Sequence, residues 1–181
     1  MELSVVKISS RRGKNPGLFF CCSGPLRISY GVGVETFRII VPYSIDIDFI
    51  DDFRCKFSIL DEIMECYGGD ATKAHIAGTS NGGHAAFALM LMRPERFATL
   101  LGAPGEFPRH DPSAWAEALR SHAVFNGVGS NDDDWKAGVK ATHDVLVEVG
   151  VNSVYVEFAG EGHIVSETFD ESIFFEFWMS H

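Results

Sequence analysis

The sequence predicts an α/β layer fold: a single domain over residues 1–181 with a mostly parallel central sheet, helices on both faces, and no lid domain. Three observations predict it. Strand-like apolar runs alternate with helical patterns over nearly the whole length. Leu18-Phe19-Phe20-Cys21-Cys22 is apolar without interruption, as in a strand covered on both faces. The stretch from Ala74 to Met90 reads as strand, tight turn and helix, with Gly78-Thr79-Ser80-Asn81-Gly82 at the turn.

Taken in order, Leu3 to Ile8 reads as a first strand, closed by a polar turn at Ser9 to Asn15. Leu18 to Cys22 is the second, ended by Ser23-Gly24-Pro25, and Leu26 to Thr36 reads as loop through Gly31 and Gly33. Phe37 to Val41 is the third strand, stopped by Pro42; Asp46, Asp48, Asp51 and Asp52 mark the loop that follows. Phe57, Leu60, Ile63 and Met64 recur at helical spacing before Gly68-Gly69. After the strand at Ala74, a helix runs to about Arg93-Pro94, and Phe97 to Leu101 is a strand stopped by Gly102 and Pro104. Asp111-Pro112 has the form of an N-cap and first helical residue opening a helix from Ser113 to Arg120. Ala123 to Gly127 is a strand, and Trp135, Val139, Thr142, Leu146 and Val149 line one face of a helix. Val154 to Phe158 is the last strand. Thr168 to Met179 is the last helix, with Phe169, Ile173, Phe177 and Trp178 on one side. The gap between the strands at Phe97 and Ala123 has room for one small helix.

Composition narrows the functional classes. A 181-residue chain with 46% hydrophobic residues buries a sizeable core. The net charge of −10 repels nucleic acid on average, and Arg11-Arg12-Gly13-Lys14 reads as a solvated turn. The four cysteines, Cys21, Cys22, Cys55 and Cys66, lack the paired spacing of a zinc or redox site; Cys21 and Cys22 read as buried thiols. No run reaches ~18 apolar residues, and Met1 to Lys7 lacks the apolar stretch of an export signal, so the expectation is a soluble cytoplasmic protein that does not engage a membrane.

The pattern Gly78-x-Ser80-x-Gly82 places a serine at the apex of a strand-to-helix turn. Gly78 and Gly82 carry no Cβ, which lets strand and helix backbones approach and lifts the Ser80 hydroxyl above the sheet edge. The bland alternative is a glycine-rich turn with an exposed, unreactive serine. A serine hydroxyl is a weak nucleophile near neutral pH; it needs a base to take its proton and a carboxylate to orient that base. On an elbow of this kind the chain order is Ser, then acid, then His. After the strand at Ala123 comes Gly129-Ser130-Asn131-Asp132-Asp133-Asp134; the spacing favours Asp132, with Asp133 and then Asp134 as alternatives, and a helix-capping role remains for the others. After the last strand comes Ala159-Gly160-Glu161-Gly162-His163, where a histidine in a glycine-rich loop can reach Ser80. His75 lies in a strand, His84 and His143 in helices, His110 and His122 precede the acid, and His181 is terminal. The Asn81 N–H, at a helix N-terminus, faces the place where negative charge develops.

These residues resemble the α/β-hydrolase superfamily, and within it the esterase group that includes polyhydroxybutyrate depolymerases and feruloyl and acetyl-xylan esterases. The matching text is Tyr67-Gly68-Gly69-Asp70, Gly78-Thr79-Ser80-Asn81-Gly82-Gly83, Arg93-Pro94-Glu95-Arg96-Phe97-Ala98, Gly129-Ser130-Asn131-Asp132 and Gly160-Glu161-Gly162-His163. The resemblance is close from about Tyr67 to Phe107 and loose elsewhere. It implies an α/β-hydrolase fold, a Ser80–Asp132–His163 triad, no metal or cofactor, and hydrolysis of a small-molecule or extended ester through an acyl-enzyme, with pairing into a homodimer as a further expectation. Rival expectations are thioester or peptide cleavage on the same triad, or a hydrolase-like domain that binds a partner without turnover. Two departures stand out. Family members carry His-Gly after the third strand, where this chain reads Ser23-Gly24-Pro25; because Pro25 has no N–H, either Leu26 or Gly24 supplies the second oxyanion donor or the hole is incomplete. The chain is also shorter than most relatives, which implies a shallow, open site.

Overall fold

The computed structural model describes residues 3–7, 17–22 and 37–42 by their backbone, and residues 57, 60, 61, 74–107, 112–166 and 168–181 more fully. Its strands are β1 (Leu3–Lys7), β2 (Gly17–Cys22), β3 (Phe37–Pro42), β4 (Ala74–Gly78), β5 (Thr99–Gly102), β6 (Ala123–Gly129) and β7 (Asn152–Phe158). They form one sheet in the order β1-β3-β2-β4-β5-β6-β7. β1 runs antiparallel to β3; every other neighbouring pair is parallel. The jump from β2 to β4, with β3 outside, places the elbow strand at the centre of the sheet.

Period-two alternation explains how each strand serves two cores. Ala74 and Ile76 of β4, Leu100 of β5 and Val124 of β6 face one cluster; Ala77, Leu101 and Phe125 face the other. The first cluster is closed by α1 (Asn81–Met92), α2 (Pro112–Ala118) and α3 (Asp133–Glu148), through Phe87, Leu89, Met90, Ala116 and Leu146. α1 buries residues all round its first turns because Gly82, Gly83, Ala85 and Ala86 are small enough to lie against the sheet. The second cluster is closed by α4 (Ser172–Met179), whose Phe174, Phe177 and Trp178 pack on Phe125 and Phe158. Phe125 meets Phe174 and Phe177 edge-on at 5.7 and 5.4 Å, the arrangement aromatic quadrupoles favour. Full burial of such a ring stabilises by roughly 1.5–3 kcal/mol. Helices thus cover both faces, as the alternation of elements predicts.

Several boundaries differ from the sequence reading; β7 begins at Asn152 rather than Val154, and α2 runs Pro112–Ala118 rather than to Arg120. β5 begins at Thr99 rather than Phe97. Pro94-Glu95-Arg96 wind into a 3-10 turn, because Pro94 presets a helical φ and the Phe97 N–H closes onto the Pro94 carbonyl at 3.2 Å. β6 extends two residues past Gly127, alongside β7 to the Gly129–Phe158 pairing. α4 starts at Ser172, not Thr168. The Asp170 carboxylate accepts the Ser172 N–H at 3.0 Å and opens the helix there. Phe169 still packs on Phe158, ring centroids 4.7 Å apart, so its apolar spacing reports the core and not the helix. Between β5 and β6 the described residues hold α2 alone. The helix expected around Phe57 is represented by helical positions 57, 60 and 61; Ile63 and Met64, the four cysteines' side chains, the basic run at Arg11, and the cap at Asp111 lie outside the described residues.

Candidate active site

The turn between β4 and α1 is built by close backbone contact. A Cβ on Gly78 would stand 2.0 Å from the Gly82 carbonyl oxygen, and one on Gly83 would stand 2.2 Å from that of Pro104. Only hydrogen at those two positions allows the helix to start so near the strand. Ser80, between them, has φ 57° and ψ −125°. A non-glycine residue held there costs about 1–3 kcal/mol, so the surroundings must over-determine it. They do: the Ser80 N–H donates to the Pro104 carbonyl at 2.8 Å, Gly82 N–H to Thr79 at 2.9 Å, and Ala103 N–H to Gly78 at 3.0 Å. The Asn81 N–H opens α1, where no intrahelical acceptor is available to it, and no acidic side chain occupies that first turn. Leu26, together with Gly24 and Pro25, lies outside the described residues.

Asp132 follows β6 directly. Its own N–H donates to Gly129 at 3.0 Å, and its carbonyl accepts from Trp135 and Lys136 at 3.2 and 3.1 Å, which starts α3. It occupies the N-cap position, yet its side chain makes no capping bond. The carboxylate, 6% exposed as a residue, turns instead to His163, Oδ2 to Nδ1 2.8 Å. Asp133 and Asp134 form the acidic first turn of α3. Asp133 pairs with Lys136 at 2.8 Å; that hydrogen bond, then the Lys136 charge, holds its carboxyl below the usual range.

His163 is held on the loop after β7, and that loop is laced to the end of β6. Ser130 N–H donates to Phe158, Asn131 N–H to Glu161 at 2.9 Å, and Gly160 N–H to the Ser130 hydroxyl at 2.8 Å. The Glu161 carboxylate accepts the Ser166 N–H and hydroxyl on the far side of His163. A Cβ on Gly129 would fall 2.1 Å from the Gly162 carbonyl oxygen, so the end of β6 touches the His163 loop at a glycine. The result is a line of three groups: Ser80 Oγ to His163 Nε2 2.8 Å, and His163 Nδ1 to Asp132 Oδ2 2.8 Å. An ionised carboxylate only accepts, so it selects the tautomer with the proton on Nδ1 and leaves Nε2 to accept from the Ser80 hydroxyl.

The other described histidines are engaged elsewhere. His75, buried in β4, bonds Thr99 Oγ1 at 2.8 Å; His122 Nε2 bonds the Pro94 carbonyl; His143 bonds the Ser153 hydroxyl; His181 bonds the Phe177 carbonyl. His84 Nδ1 lies 3.4 Å from the Glu106 carbonyl and its ring rests on Trp135. His110 lies outside the described residues. Among the described residues no group of three or more His, Cys, Asp or Glu is placed to hold a metal ion, and no helix is long and apolar enough to cross a membrane.

Sequence reasoning missed one neighbour of the site. Trp135, read only as part of a helical face, lies against His163, ring centroids 5.5 Å apart. Its position three residues after the acid was the available signal, since one helical turn returns a side chain to the same side.

The sheet order, the elbow and the two-faced helical cover define the α/β-hydrolase fold. Solved structures bear this out at low identity. Est1E from Butyrivibrio proteoclasticus is similar over 99% of this chain and 94% of its own, with a TM-score of 0.70 and 10% identity. The ferulic acid esterase AmCE1/Fae1A from the anaerobic fungus Anaeromyces mucronatus is similar over 90% and 84%, with a TM-score of 0.63 and 13% identity. A thermostable esterase is similar at a TM-score of 0.65 and 16% identity over 87% of this chain, which spans 50% of that one. No family model and no curated protein matches the sequence.

Proposed function

We propose that the chain is a serine hydrolase that cleaves carboxylic esters through an acyl-enzyme. The observation that carries this reading is the pair of 2.8 Å contacts linking Ser80, His163 and Asp132. Ser80 Oγ attacks the ester carbonyl carbon while His163 Nε2 takes its proton. The Asn81 N–H, with a second donor from the Gly24–Leu26 segment for which Leu26 is the candidate, stabilises the oxyanion. The tetrahedral intermediate collapses, the alcohol leaves with the proton returned by His163, and Ser80 carries the acyl group. Water, deprotonated by the same imidazole, attacks the acyl carbon; the acid departs and the Ser80 hydroxyl is restored. Asp132 holds the ring and offsets the positive charge it acquires at each transfer. No metal or cofactor enters this sequence of steps. With α2 alone described between β5 and β6, the cleft suits small or extended esters, and a net charge of −10 slightly disfavours anionic ones. The esterase activity named for two of the similar structures supports the ester, although a dipeptidyl aminopeptidase is similar as well and fold and triad by themselves do not separate ester from amide.

The rival reading, a partner-binding domain without turnover, is motivated by Ser23-Gly24-Pro25 at the expected place of the oxyanion donor. A fluorophosphonate probe separates the two. The proposal expects ready labelling of the chain and none of Ser80→Ala; failure to label either overturns it. A panel of p-nitrophenyl esters beside peptide amides then tests the substrate class, and amide turnover exceeding ester turnover refutes it.

A further inference from the structure

The two hydrogen bonds to His163 run through Nδ1 and Nε2, on opposite sides of the ring. They fix an axis through the imidazole and leave rotation about that axis open. The laced loop fixes where the His163 backbone sits, but the side chain is 39% exposed, which leaves the tilt of the ring to its neighbours. A flat surface against the ring supplies the missing constraint. Trp135 provides one, its ring centroid 5.5 Å from that of His163 and tilted by 40°.

Trp135 is itself braced from behind the site. Its indole meets the His84 ring at 4.8 Å, and His84 Nε2 stands 4.0 Å from the Glu106 carboxylate. Glu106 fits there because position 138, one turn beyond Trp135, is glycine: a Cβ at Gly138 would come 1.5 Å from Glu106 Oε2. The indole, carried on α3, is thus backed by His84 of α1, which in turn stands beside Glu106 of the segment after β5. A solvated aromatic with no role does not require such backing.

We infer that Trp135 is a positioning residue for His163, holding the imidazole in the plane that bridges Asp132 and Ser80. This rests on the ester-hydrolase reading for its kinetic consequence, though not for its structural one. An indole with its centroid 5.5 Å away is also near enough to favour the imidazolium that forms during each proton transfer, so its effect is greatest in the transition state.

The test joins a spectroscopic signature to kinetics on p-nitrophenyl acetate. In the wild-type chain the Nδ1 proton shared with Asp132 is expected as a low-field proton NMR signal, absent in His163→Ala. Trp135→Leu, apolar but not flat, is expected to broaden or remove that signal through faster solvent exchange, and Trp135→Phe to retain it. In parallel, kcat should fall by about ten- to hundredfold in Trp135→Leu, since small misplacements of a base are that costly. KM should stay within about twofold and Trp135→Phe should restore most of the rate. Trp135→Ala serves as a second variant should Trp135→Leu not fold. A sharp low-field signal together with wild-type kcat in both Leu and Ala variants overturns the inference. So does a loss confined to KM. A signal that depends on position 135 in a chain with no ester turnover leaves the inference standing and removes the reading of function instead.

Discussion

Gly129→Ala isolates the seam between the acid and the base. The Cβ it adds would lie 2.1 Å from the Gly162 carbonyl oxygen and 2.5 Å from that of Glu161, both backbone atoms of the segment that carries His163. Ordinary contact begins near 3.4 Å, so about 1.3 Å must be found, and no flexible side-chain tip is there to yield it. Either β6 or the loop moves. A displacement of that size takes His163 Nε2, now 2.8 Å from Ser80 Oγ, out of hydrogen-bond reach. Overpacking of this kind costs about 1–3 kcal/mol in stability. For a chain of this length that lowers Tm by roughly 2–10 °C. The loss of rate should be larger in proportion, about a hundredfold in kcat/KM, because the base is misplaced. Gly162→Ala is the control: it sits in the same loop, beside His163, with nothing within 4 Å of its added Cβ. Circular-dichroism melting and initial rates on p-nitrophenyl butyrate report both quantities. Wild-type kcat/KM in Gly129→Ala, or an equal loss in Gly162→Ala, would refute the claim that the seam sets the base.

Two further outcomes are expected. Asp132→Asn should lower kcat by about 10³–10⁴-fold by favouring the wrong imidazole tautomer, whereas Asp133→Asn should leave the rate near wild type; equal losses on the same ester would mean the acid is misassigned. His143, beside Ser153, is pushed below its usual pKa of 6.5, first by burial and only partly offset by Asp144. A histidine whose folded pKa is depressed binds its proton more readily when unfolded, so it withdraws stability as pH falls below about 6.5. Urea midpoints measured at about pH 7.5 and about pH 5 should differ less in His143→Gln than in wild type, and an unchanged difference contradicts this.

The alternation of elements and the elbow were legible because each rests on local rules: a continuous apolar run for a covered strand, and two glycines where strand and helix backbones collide. The positions of Asp132 and His163 were legible for a related reason. Parallel strands end on the same side, so an acid after β6 and a histidine after β7 arrive at one edge. What the sequence left ambiguous was anything decided by tertiary packing. Asp132, Asp133 and Asp134 look alike in text; they separate only because the first is buried under a loop and the second faces Lys136. Phe169 mimicked a helical residue because it serves the same core as α4 from outside it. Trp135 gave only the weak sign of its spacing from Asp132, since its contact with His163 crosses from the first turn of α3 to a loop 28 residues later.

Asp132 and His163 follow β6 and β7, which pair along the whole of both strands and are stitched again beyond their ends. Ser80 stands just beyond β4, which within the sheet meets that ribbon through the four residues of β5. Within the sheet, then, the carboxylate and the imidazole share one strand pair, and the hydroxyl lies two strands away. A shift of β4 against β6 would therefore open the contact from hydroxyl to imidazole and leave the one from imidazole to carboxylate closed.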